Sequence, residues 1–271
     1  MKKLTVFCAA ACLAASAAAQ NHPDLHEVLD RQKGRNLIEI PKGTYTLDVR
    51  SNGPYKFHNL TDVHINGNGS TVICNNQEQA FSFYNCVRVE LRDLTIDYDP
   101  LCFTQGEITA VAEDGSWFDV RIDEGYPVTG LAANRVQFYD PQTRLLKRNS
   151  ITTYTSNYSA LKQLGHNLFR AVKNGTWSAG EQVGDLVVMD VKTDKPNAGV
   201  HTVMLNKCYN TKLENVTVYG SNTFSFFEKE GYANEYRNCV VDRGPMPQGI
   251  RPRLRSGNAD AVSYTHLTLP T

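Results

Sequence analysis

One short phrase recurs along this chain, and it restricts the chain to a coiled, repetitive fold. It reads Asn59-Leu-Thr-Asp-Val63-His-Ile65, then Asn85-Cys-Val-Arg-Val89-Glu-Leu91-Arg-Asp93-Leu-Thr95-Ile96, then Cys208-Tyr-Asn-Thr-Lys-Leu213-Glu-Asn215-Val-Thr217-Val218, with a fainter copy at Tyr236-Arg-Asn238-Cys-Val-Val241. Val63 and Val89 stand 26 residues apart, and Leu213 and Tyr236 stand 23 apart; both spacings are those of repeat architectures. Each copy is a brief alternating run with β-branched residues, bounded by Asn, Asp and Gly, so it predicts a strand followed by a turn. A single strand of this kind cannot bury its apolar face alone, and neighbouring coils must stack around a shared interior. The expected fold is all-β, a right-handed parallel β-helix. Asp93, Asn215 and Asn238 share one position in their coils, where a short polar side chain tolerates a left-handed bend. They are expected to form a structural ladder.

The 271 residues include 28 basic and 28 acidic ones. That balance favours neither nucleic acid nor an anionic membrane as a partner. Lys2 and Lys3 precede an apolar stretch from Leu4 to Ala15, and Ala17-Ala18-Ala19 offers a small-residue cleavage site, so 1–19 is expected to be a secretory signal and the mature protein periplasmic or secreted. Cys12 follows three alanines, but lipid attachment there lacks the usual leucine. No later stretch is long and apolar enough for a membrane span. Five cysteines remain after the signal, Cys74, Cys86, Cys102, Cys208 and Cys239; the odd number argues against a fully paired disulfide framework. Cys86 and Cys208 share a repeat slot and are expected to stack inside. No Cys/His spacing matches a zinc site, and neither metal nor cofactor is expected.

The pattern breaks after Ile96 and resumes near Val200. Between them lie Glu107-Ile-Thr-Ala-Val111, Trp117-Phe-Asp-Val-Arg-Ile122, Arg135-Val-Gln-Phe-Tyr139 and Asp185-Leu-Val-Val-Met-Asp-Val191. These alternating segments predict a small β-barrel or β-sandwich inserted between two coils. The expected organisation is a signal over 1–19, coils over 20–97, the insert over 98–199 and coils again over 200–261.

At the break, Ile96-Asp97-Tyr98-Asp99-Pro100-Leu101-Cys102-Phe103-Thr104-Gln105-Gly106 resembles the segment that leaves the β-helix in bacterial family 110 glycoside hydrolases. The order Gly184-Asp185, Asn215-Val-Thr-Val218, Asn258-Ala259-Asp260 follows the same family. Cys102 stands where the family has proline, and the lead-in His22-Pro-Asp-Leu-His26 has no counterpart. The resemblance implies a pectin-lyase-like solenoid with an inserted barrel, and an inverting exo-α-galactosidase acting on terminal α-1,3-linked galactose. It also implies that Asp260 is the general acid, with Ala261 in place of the family's glycine, and that the general base is a pair of aspartates one coil further on. An inverting enzyme needs its two carboxyl groups about 6.5–9.5 Å apart, and coils lie about 4.8 Å apart, so acid and base on successive coils fit. Residues 262–271 resemble a translated sequencing adapter and are expected to have no place in the repeat. The chain is then an inactive fragment lacking the base, and His266 carries no chemistry.

Other polar residues are candidates for substrate contact. Gln79 and His201 each stand seven residues before a repeat cysteine, and Asp260 takes the matching site if the family pattern holds, so the three would line one cleft. Glu228 and Glu230 follow an aromatic strand and read as solvated turn residues that reach a sugar hydroxyl at most. Asp97 and Asp99 read as architecture. Arg251, Arg253 and Arg255 alternate and so share a face; Arg255 and its neighbours either bind an acidic sugar or anchor the loop that delivers Asp260. The expected partner is a glycan or oligosaccharide, with a homo-oligomer open. Two other activities stay open: a polysaccharide lyase on a uronate polymer, and a non-catalytic carbohydrate-binding solenoid.

Overall fold

The computed structural model describes residues 22–191, 201–221 and 223–256, together with the backbone of 262–265. The signal expected over 1–19 lies outside the described residues. Helix α1 (Leu25–Asp30) opens the described chain, started by Asp24, whose side chain accepts from the His26 N–H. It turns Leu25 and Leu29 onto the first coil, so the apolar end of the solenoid is covered rather than left in water.

The first coils follow as β1 (Leu37–Glu39), β2 (Thr44–Leu47), the short helix α2 (Val49–Asn52), β3 (Tyr55–His58), β4 (Thr61–Cys74), β5 (Phe81–Tyr84) and β6 (Val87–Tyr98). The insert carries β7 (Phe103–Val111), β8 (Trp117–Ile122), β9 (Leu131–Tyr139), β10 (Thr153–Tyr154), β11 (Tyr158–Gln163), β12 (Leu168–Lys173) and β13 (Leu186–Val191). Coiling resumes with β14 (Val203–Asn206), β15 (Lys212–Tyr219), β16 (Phe226–Lys229), β17 (Glu235–Arg237), β18 (Val240–Asp242) and β19 (Val262–Thr265).

Two parallel sheets wind along one axis, one ordered β1-β4-β6-β15-β17 and the other β3-β5-β14-β16-β19. Val63 pairs with Val89, Leu91 with Leu213, and Leu213 with Tyr236, so the 26- and 23-residue spacings are the lengths of single coils. The chain is a right-handed parallel β-helix. Inward positions alternate along each strand and superpose from coil to coil. Phe57, Phe83 and Leu205 form one column, with the two phenylalanine rings 4.7 Å apart and 19° from parallel. Cys86 and Cys208 are fully buried free thiols in one slot, and the Cys86 thiol donates to Phe57 O at 3.0 Å.

The corners are set by left-handed residues. Asp93, Asn215 and Asn238 have φ of 56°, 53° and 51°, a conformation that short amide and carboxylate side chains tolerate. Asn215 donates to Asp93 Oδ1 at 2.8 Å, and Asn238 donates to Asn215 Oδ1 at 3.2 Å, so the expected ladder is present. A second corner repeats the device with Asn59 and Asn85, bonded at 2.8 Å.

The insert is a seven-stranded antiparallel sheet ordered β10-β9-β13-β7-β8-β12-β11. Its two edge strands are joined by a single 3-10 turn at Thr155–Asn157, which forces the sheet to curl towards a barrel. The barrel has its own core around Phe118, Phe138, Val187 and Met189. Lys173 and Glu181 form an ion pair inside it.

Two expectations are corrected here. Val262–Thr265 pair in parallel with Phe226–Lys229 as the next strand of the solenoid, although 262–271 were expected to stand apart from the repeat. Val-Ser-Tyr-Thr is an alternating, β-branched run, and that pattern suffices to extend a sheet edge. Glu228 is not a solvated turn residue. It lies in β16 with its side chain inside the solenoid, in the column of Phe57, Phe83 and Leu205, and is 7 % exposed.

Candidate functional site

The outer face of β5, β14 and β16 carries the site. Gln79, His201 and Phe224 each stand two residues ahead of Phe81, Val203 and Phe226, which are register partners. His201 and Phe224 meet across adjacent coils, and Gln79 stands at the same sequence offset ahead of its own strand. Asp260 lies outside the described residues; in sequence it precedes Val262, the partner of Phe226, by the same two positions.

His201 is half-buried within an aromatic group. Its ring centroid is 4.0 Å from that of Phe227, at 19°, and 5.1 Å from that of Phe224, at 28°; the two phenylalanines are 15° from parallel. All three side chains are partly exposed, so the stack reaches the surface. His201 Nδ1 is hydrogen-bonded to Thr223 Oγ1 at 2.8 Å. Burial pushes the imidazole below its ordinary value, which keeps it neutral at pH 7 and leaves the stack uncharged. Phenylalanine faces are electron-rich. A ring face of this group left open at the surface suits the C–H face of a pyranose ring, while His201 and Thr223 supply polar atoms beside it. Gln79 at the head of β5 donates to Phe81 O at 3.1 Å, which holds its amide along the strand.

The other candidates are committed elsewhere. Glu228 accepts from Asn234 Nδ2 at 2.8 Å and from Tyr236 Oη at 3.2 Å. Gly231 occupies the slot that Cys86 and Cys208 fill in earlier coils, and a Cβ there would collide with the Glu228 carboxylate; the glycine makes room for a carboxylate in an otherwise apolar column. Arg255 is 6 % exposed, with its guanidinium on Asp190 at 2.5 Å and on Gln137 Oε1 at 3.0 Å. Arg253 clasps Asp97 through two 2.8 Å bonds, and Arg251 meets Asp123 at 3.0 Å. Burial pushes the Asp97 and Asp190 carboxyls up against the pull of these arginines.

Residues 243–256 thus form a strap between solenoid and barrel. Leu254 enters the barrel core, its N–H donates to Gln105 Oε1, and Gln105 Nε2 donates to Pro252 O. Of the two roles open to the arginine trio, anchoring is the one its contacts serve. A polar cleft beside the strap is lined by Glu107, Arg121, Asp123, Glu124, Asn167 and Arg251, and Arg251 already bridges two of its carboxylates, Asp123 at 3.0 Å and Glu107 at 3.4 Å. Among the described residues, no group of three or more His, Cys, Asp or Glu is placed to hold a metal ion, and no helix is long and apolar enough to cross a membrane.

Phe224 and Phe227 escaped the sequence reading. The coil that bears Phe224 has Gly231 where the others have cysteine, so counting back from a cysteine passes it by. The register would have found it.

No protein-family model matches the chain, and no curated protein matches it. The β-solenoid is an architecture that fits carbohydrate-active β-helix proteins in general.

Proposed function

We propose that the protein is an exported carbohydrate-active β-helix protein whose sugar site is the outer face of β5, β14 and β16. The observation that carries this reading is the stack of His201, Phe224 and Phe227. An uncharged, half-exposed aromatic cluster with polar atoms beside it offers a sugar ring both apolar contact and hydrogen bonds.

In its finer form the proposal is an inverting exo-α-galactosidase acting on terminal α-1,3-linked galactose. The likeness of the Ile96–Gly106 phrase and of Ala259-Asp260 to family 110 glycoside hydrolases supports it. Asp260 is then the general acid that protonates the leaving oxygen, and a carboxylate on a further coil activates water on the opposite face of the sugar. Retention of galactose on the aromatic stack without hydrolysis is the second reading, favoured because stacking needs no acid. A lyase loses its support in the arginine trio, whose guanidinium groups are held by aspartates.

Incubation with p-nitrophenyl α-galactoside, a blood-group B trisaccharide and a uronate polymer separates these activities. Under the hydrolase reading a protein that also carries the base-bearing coil releases galactose, and Asp260→Asn in it lowers kcat by about 10²–10⁴-fold, as expected on losing a positioned general acid. Phe227→Ala raises KM. Undiminished turnover in Asp260→Asn removes that residue from the mechanism, and galactoside binding that ignores both Phe227→Ala and His201→Ala removes the site.

A further inference from the structure

Three tyrosines stand out in water at the corner that follows this same face. Tyr84, Tyr209 and Tyr232 are 37 %, 40 % and 62 % exposed. Tyr209 and Tyr232 are direct partners on adjacent coils, and Tyr209 also bridges Val87, three residues beyond Tyr84. Coils rise by about 4.8 Å, so Tyr209 and Tyr232 make a short aromatic ridge along the solenoid axis, while Tyr84 ends β5 on the neighbouring row, paired with Asn206. None of them belongs to the solenoid core. A tyrosine in this setting offers a flat apolar face and a polar tip.

The charges around the ridge have one predominant sign. Lys207 Nζ lies 6.0 Å from the centre of the Tyr84 ring. Lys229 ends β16, and Lys56 is exposed on β3 beside Ser82. The carboxylate among them is Glu230, 3.8 Å from Lys207 and 3.4 Å from Lys229, with all three side chains between 42 % and 47 % exposed. His58, 5.6 Å from Tyr84, is held below its ordinary value by burial and then by Lys56, so it adds no charge at pH 7. Lys207 and Lys229 therefore share one carboxylate, and exposed pairs of this kind are weak enough to exchange partners.

We infer that this ridge is an extended subsite for an anionic glycan chain, continuous with the aromatic stack around His201. The inference rests on the reading of that face as a sugar site, and it names the substrate class: a glycan bearing carboxylate or sulfate groups beyond the sugar held by the stack. Tyrosine faces take its rings, and Lys207 and Lys229 take its anions as compact, flexible point charges.

The test is isothermal titration calorimetry of the chain with polygalacturonate, its methyl-esterified neutral form and a sulfated galactan. At low salt, at least one anionic polymer should bind about tenfold tighter than the neutral one, a preference that falls as salt screens the exposed lysines. Binding of only the sulfated polymer assigns the anion as sulfate, and binding of only the uronate polymer assigns it as carboxylate. Lys207→Gln with Lys229→Gln should erase the preference, and Tyr209→Ala with Tyr232→Ala should weaken all binding. Glu230→Gln should tighten anionic binding by several-fold, a gain that misfolding cannot produce. Equal affinity for charged and neutral polymers, no binding of any polymer, or an unchanged affinity in Glu230→Gln overturns the proposal. Loss of galactoside recognition with the charge preference intact would sink only the hydrolase reading, and the reverse result would sink only the subsite.

Discussion

His201 couples the candidate site to stability through one proton. Its folded value is depressed by burial from the ordinary 6.5, and that of His58 is depressed as well. The stability they support is complete above about pH 6.5. As pH falls below that point the unfolded chain takes up protons that the folded chain refuses, so stability declines until the folded values are passed. Urea midpoints measured from pH 8 to 5 should fall across the acid half of this range, and the slope should be shallower in His201→Asn. An equal slope in that variant would place the proton elsewhere. Sequence alone located His201 because its neighbour Cys208 marks the repeat. It misread Glu228 because Glu-Lys-Glu-Gly is the composition of a solvated turn. What draws that carboxylate inside is the space left by Gly231 and the donors on Asn234 and Tyr236, and none of these is visible in the residue itself.

At the scale of elements, the strap is the join that most needs its charges paired. Arg253 is 5 % exposed, and its partner Asp97 is buried at the exit from β6. Removing one member of a buried pair strands the other, at a cost of about 3–5 kcal/mol. Arg253→Met and Asp97→Asn should each destabilise by that order in chemical denaturation, whereas the double variant should recover a large part of the loss. Additive losses would show that the two groups do not act as a pair. The alternation of the three arginines foretold a shared face, but their partners lie 65 to 156 residues away in sequence, and no local pattern names a partner at that distance. Short range also hid β10, β11 and β12, where Tyr-Ser-Ala-Leu-Lys-Gln and Leu-Phe-Arg-Ala-Val-Lys break their alternation with alanine. Of the solenoid strands, β4, β6, β15 and β17 were legible because each copy of the phrase supplies the register for the next, whereas β1, β2, β3, β5 and β14 carry no copy of it.

For the whole molecule, solenoid and barrel have separate apolar cores joined by the strap. Both tryptophans, Trp117 and Trp177, belong to the barrel. Their fluorescence therefore reports barrel unfolding alone, while far-UV circular dichroism reports both bodies. The two melting curves should coincide in the native protein and separate by several degrees in Arg253→Met, with coincidence in that variant counting against the strap as the coupling element.

The pairing of β6 with β15 proceeds in register from Glu90 and Lys212 to Ile96 and Val218, as though nothing intervened. The barrel therefore hangs from the solenoid without disturbing its pitch, and the passage between these strands is a socket. A foreign module whose two ends emerge one coil apart could be seated there in place of the barrel. Such a graft would inherit a fixed position above the neighbouring coils without any redesign of the scaffold.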